Sequence, residues 1–166
     1  MTQTMSDRDL KLDRMRYVKN TASSRLCYLA ILLNVLYFVS IYRSDVGSWY
    51  YTILIGASVV CNLLFMLMTF LASEGVKNYQ PSFSILLYVL GAIQIIRIFI
   101  LPAQAHQATV RIGGTDTAVM GDAQYIRVIL YLAGSAVCLL LAGIINHRKH
   151  SALAGHLKAL EAKEAA

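Results

Sequence analysis

This sequence has little charge. Only 14% of its 166 residues are charged, against roughly 25% in an ordinary soluble domain. Apolar residues make up 57% and the mean hydropathy is +0.56. A soluble chain of this length cannot cover so much apolar surface, so the composition points to one small membrane-embedded bundle.

Acids and histidine are missing from the long apolar runs altogether. Hydrolytic and group-transfer chemistry generally needs such a base, and proton- or cation-coupled transport generally needs carboxylates within the membrane. No enzyme activity is expected. The three cysteines, Cys27, Cys61 and Cys138, all lie in apolar runs, and an odd count without metal-like spacing argues against a disulfide framework and a zinc site. His147, His150 and His156 have no carboxylate among them, and Gly113-Gly114 is followed by no P-loop lysine, so neither a metal nor another cofactor is expected. The first 24 residues are polar and charged, too late a start for a cleaved signal, and neither end carries a lipidation motif. Anchorage therefore rests on the apolar runs.

The net charge of +6 flanks those runs instead of lining a groove, which argues against nucleic acid. Four runs are long enough to span a bilayer, at about 25–42, 49–72, 83–101 and 125–146. The expected fold is an all-α membrane protein, four transmembrane helices in an antiparallel bundle. Arg8, Lys11, Arg14, Arg16, Lys19, Arg25, Lys77, Arg148, Lys149, Lys158 and Lys163 fall on one side of it, against Arg43 and Arg111 on the other. The positive-inside rule then puts both termini in the cytoplasm; if the chain is prokaryotic, the expected membrane is the plasma (inner) membrane.

Three segments follow. Residues 1–24 form a basic segment in which Ser6 and Asp9 resemble a capping box and Leu12, Met15 and Val18 share a face, predicting a short amphipathic helix on the membrane surface. Residues 25–146 form the four-span domain. Residues 147–166 form a cytoplasmic helix with Leu153, Leu157 and Leu160 on one face. Within the domain, 43–48 is a tight turn flanked by an aromatic belt of Tyr42, Trp49, Tyr50 and Tyr51, and 73–82 is a polar turn. Pro102 is expected to stop the third span. In the external loop 102–124, Gly113-Gly114 between β-prone runs suggests a hairpin with Arg111 facing Asp116.

The chemistry-bearing residues are few. Arg97 lies about five residues inside the loop-proximal end of its run and Arg127 about three residues inside the next, placing both at a similar shallow depth. Three readings apply: anchors that reach lipid head groups, structural partners of Asp122 or of amides inside the bundle, or a vestibule for a small anion. Asn34, Ser58, Asn62, Gln94 and Tyr131 are candidates for polar packing within the membrane, and Gly134, Cys138 and Ala142 for close helix contact. The expected partners are the bilayer and either a membrane protein or a second copy. The leading functional reading is a non-catalytic accessory or assembly subunit. The alternative is an oligomeric transporter or channel for a small anion that uses Arg97 and Arg127.

Overall fold

A computed structural model describes residues 6–42, 49–112 and 115–164, in the order α1 (Asp7–Tyr17), α2 (Thr21–Ile41), α3 (Trp49–Lys77), α4 (Pro81–Gln107), β1 (Thr109–Ile112), β2 (Thr115–Ala118) and α5 (Asp122–Glu164). The connection at 43–48 and the Gly113-Gly114 turn lie outside the described residues, as do the side chains of Trp49, Tyr50 and Tyr51.

Local signals explain most helix ends. Ser6 Oγ accepts from Arg8 N at 3.2 Å, with Asp7 and Asp9 in the first turn of α1 and Arg14 and Arg16 in its last. Asn20 caps α2, which starts earlier than the expected span. Pro81 occupies the first turn of α4, where its missing N–H is harmless.

Other ends differ from expectation. The predicted polar turn at 73–82 is largely helix. The fold reverses only at Asn78–Gln80, where Tyr79 takes φ 57° and Gln80 N donates to Gly75 O. This is a Schellman-type ending with tyrosine in glycine's usual place. Burial of the Tyr79 ring compensates the backbone and pushes its phenol pKa up. Pro102 does not stop α4, which runs on to Gln107. The lost hydrogen bond is offset because Leu101 and Ala105 are buried against Met120, Val128 and Leu132. Nor is there a separate C-terminal helix: α5 is continuous over 43 residues, about 64 Å.

Four helices are long and apolar enough to cross a membrane, and the packing is inverted relative to a water-soluble fold. Asn34, Asn62, Gln94, Ser135 and Asn146 are fully buried, while Phe99 is 72%, Ile85 66% and Leu130 64% exposed. Apolar side chains outward and amides inward are what a hydrocarbon solvent selects. The chain is an integral multi-pass membrane protein.

In the bundle α5 packs against α2 and α4, and α3 joins α2 and, more loosely, α4. The apolar core falls into two layers. One contains Cys27, Ala30, Phe65, Leu87, Leu90, Leu139 and Ala142; the other contains Tyr37, Ile41, Leu101, Val128 and Leu132. Beyond the second layer β1 and β2 pair antiparallel, Arg111 opposite Asp116 with Nε to Oδ1 at 3.9 Å. Here His106 stacks on Tyr125 at 4.2 Å.

Candidate functional site

Between the two apolar layers lies a polar one to which all four spanning helices contribute. On α2, Asn34 falls between Ala30 and Tyr37; on α4, Gln94 falls between Leu90 and Leu101; on α5, Ser135 falls between Leu132 and Leu139. Asn62 of α3 comes one turn before Phe65. Gln94 Nε2 donates to Asn34 Oδ1 at 3.2 Å and to Ser135 Oγ at 2.9 Å, and Ser135 Oγ donates to Ala30 O at 3.2 Å.

Arg97 completes this layer. Side chains on a helix lean toward its N-terminus, so Arg97, one turn past Gln94, reaches back into the bundle. Nη1 donates to Gln94 Oε1 at 2.8 Å and to Asn34 Oδ1 at 3.2 Å, and Nη2 donates to Asn62 Oδ1 at 2.8 Å. The guanidinium carbon lies 4.9 Å from the Tyr37 ring centroid and 5.5 Å from that of Phe65.

These contacts hold the cation without neutralising it. Arginine stays charged in proteins, and its oxygen partners are all uncharged amides; among the described residues no acid pairs with it. Three hydrogen bonds to a charged group, each about 1.5–3 kcal/mol, are comparable to a desolvation penalty of several kcal/mol. They make the half-buried head group tolerable and leave its charge in place. Because a guanidinium only donates, Asn34 and Asn62 must each face it with oxygen, which turns their nitrogens away. Both Nδ2 atoms are buried without a partner. The layer thus carries one net positive charge and a surplus of donors.

Arg97 also lines a cleft of about 320 Å³ between α3 and α4, whose walls include Tyr37, Ser58, Cys61, Phe65 and Ile96. Ser58 is half-buried and Cys61 exposed.

The structure does not bring the two arginines together. Arg127 is exposed, does not line the cleft, and makes no hydrogen bond or ion pair with the described residues. Asp122, considered as an arginine partner, lies 3.8 Å from His106 Nε2 instead. Tyr131 is half-buried beside the second apolar layer. Of the small residues, Cys138 and Ala142 are buried and Gly134 faces Leu33 of α2, where a Cβ would come within 3.2 Å. Among the described residues no group of three or more His, Cys, Asp or Glu could hold a metal ion.

Sequence reasoning missed a second polar cluster at the other end of the bundle. Asn20 Nδ2 donates to Asn146 Oδ1 at 3.2 Å, and Asn146 Nδ2 donates to Ser84 Oγ at 2.8 Å and to Gln80 O at 3.0 Å. Lys149 Nζ reaches Asn20 Oδ1 at 3.2 Å, and His150 Nδ1 donates to Tyr79 O at 2.9 Å. This cluster ties the starts of α2 and α4 to α5. The available signal was asparagine at two span ends, Asn20 and Asn146, which have to be brought together by the antiparallel path.

No known family model, curated protein or solved structure matches the chain.

Proposed function

We propose that this protein is a non-catalytic accessory or assembly subunit of a larger membrane complex, with both termini cytoplasmic. The observation that carries the reading is α5, which continues unbroken for about 27 Å past Asn146. Its root is fixed to the bundle through Lys149 and His150, and α1 packs along it, His156 Nε2 lying 2.8 Å from Asp13 Oδ1. The result is a braced two-helix arm in which Arg8, Lys11, Arg14, Lys158 and Lys163 alternate with Asp7, Asp9, Glu161 and Glu164, suited to dock on a partner's polar surface beside the membrane.

The test is purification of the tagged full chain from its own cells in gentle detergent, with mass spectrometry of what co-elutes. A stoichiometric membrane-protein partner is expected, and deleting residues 151–164 is expected to release it. A lone homo-oligomer overturns the reading.

A further inference from the structure

We propose that the α3–α4 cleft binds a long-chain carboxylate taken from the bilayer, its head group on Arg97 and its chain along the apolar wall. Four observations converge on that chemistry. First, the cleft is apolar along its length and charged at one point, the pattern an amphiphile matches and a free inorganic anion does not. Second, the three hydrogen bonds of Arg97 use three of the five N–H groups of a guanidinium, leaving Nε–H and one Nη2–H. A carboxylate brings two oxygens and a single negative charge to match the single unneutralised positive one.

Third, the cleft opens sideways. Ala57 and Cys61 on α3 are exposed, as are Ile93 (40%), Ile96 (57%) and Ile100 (48%) on α4, each about two turns or more from the helix ends. A ligand therefore enters from the hydrocarbon. Fourth, depth and size exclude most lipids. Arg97 belongs to a layer between two apolar layers, too deep for a phosphate head group that stays at the bilayer face. A volume of about 320 Å³ is at the small end of ligand pockets, which run from about 300 to 1,000 Å³, and suits one chain instead of two.

The experiment places the full chain in phosphatidylcholine nanodiscs and titrates it with radiolabelled palmitate, with empty discs as background. Alkylation of Cys61 by N-ethylmaleimide is followed in parallel by peptide mass spectrometry; Cys27 and Cys138 are buried, so Cys61 reports the cleft. Saturable binding of one palmitate per chain is expected, with Cys61 alkylation slowed about tenfold. Hexadecanol and acetate are expected to do neither. Arg97→Gln is expected to weaken binding at least about tenfold. Should that variant fold poorly, Ala57→Trp fills the mouth of the cleft without touching the hydrogen-bonded layer, and is expected to abolish binding. Palmitate binding that survives both substitutions overturns the proposal. So does equal protection by hexadecanol, which would make the cleft merely apolar, or by acetate, which would make it a free-anion site. Protection of Cys61 by a helix of a co-purifying protein, with no palmitate bound, likewise overturns it.

Discussion

The two sides of α4 are built on opposite plans. Against α5, glycine allows the helices to close: a Cβ on Gly91 would lie 2.9 Å from Leu140 Cγ, and one on Gly143 would lie 2.8 Å from Tyr88 Cε1. Against α3, the helices close only beside their turn, where a Cβ on Gly75 would clash with the Phe83 ring, and part further along around a cleft of about 320 Å³. The polar groups follow the same division. Asn146 on the closed side has its oxygen and nitrogen both bonded, whereas on the open side Arg97 keeps two N–H groups unused and Asn62 Nδ2 is buried without a partner. A seam that only has to hold fills its space and its hydrogen bonds together. Void and surplus donors set the open side apart from such a seam.

The sharpest way to break the contrast is Gly91→Leu. The new side chain meets Leu140 with the Ala136 carbonyl behind it, so α4 and α5 must separate. Overpacking of this kind is expected to cost about 3 kcal/mol, read from the midpoint of unfolding in an SDS titration. A loss below about 1 kcal/mol would show that the seam is not close-packed.

Asn62→Leu probes the open side and is expected to do less. It removes the one α3 acceptor of Arg97 among the described residues, and hydrogen bonds within membranes average about 0.6 kcal/mol with a maximum near 1.7. The charged donor argues for the top of that range, while removing an unpartnered amide nitrogen returns part of it. The net expectation is about 1 kcal/mol in the same titration. A loss as large as that of Gly91→Leu would mean that the α3–α4 seam is held chiefly by this one bond.

How far the fold was legible follows from which forces act locally. Spans could be read because hydrocarbon imposes length and composition on each helix separately. Asn34, Asn62 and Gln94 could be placed within the membrane for the same reason, but their pairing needed the bundle. Pro102 misled because packing of Leu101 and Ala105 overrides a local penalty, and α5 misled because nothing in its own pattern distinguishes a helix that ends at the membrane face from one that continues. Arg97 is the instructive case. Sequence position gave the depth of its Cα, which is shallow, whereas the guanidinium lies a turn deeper, in the direction helical side chains lean. Arg127, at the start of α5, has the same lean and is directed out of the bundle's polar layer, so two residues that look symmetric in the sequence are not.

The smallest expected effect comes from Gly56→Ala on α3, and its sign carries the information. A Cβ at this position meets nothing within 4 Å, and the residue is exposed. Glycine inside a helix is less favourable than alanine by up to about 1 kcal/mol in water, and by less in lipid, where the helical backbone has no competing solvent to bond with. The substitution is therefore expected to be neutral or stabilising by a few tenths of a kcal/mol in detergent. Measured instead in the native membrane, a clear loss of stability would require a neighbour that the isolated chain does not supply. It would place a partner helix against α3 at Gly56, on the side of the helix turned away from the cleft-lining Ala57, Cys61 and Phe65, and so show that this outward face meets another protein.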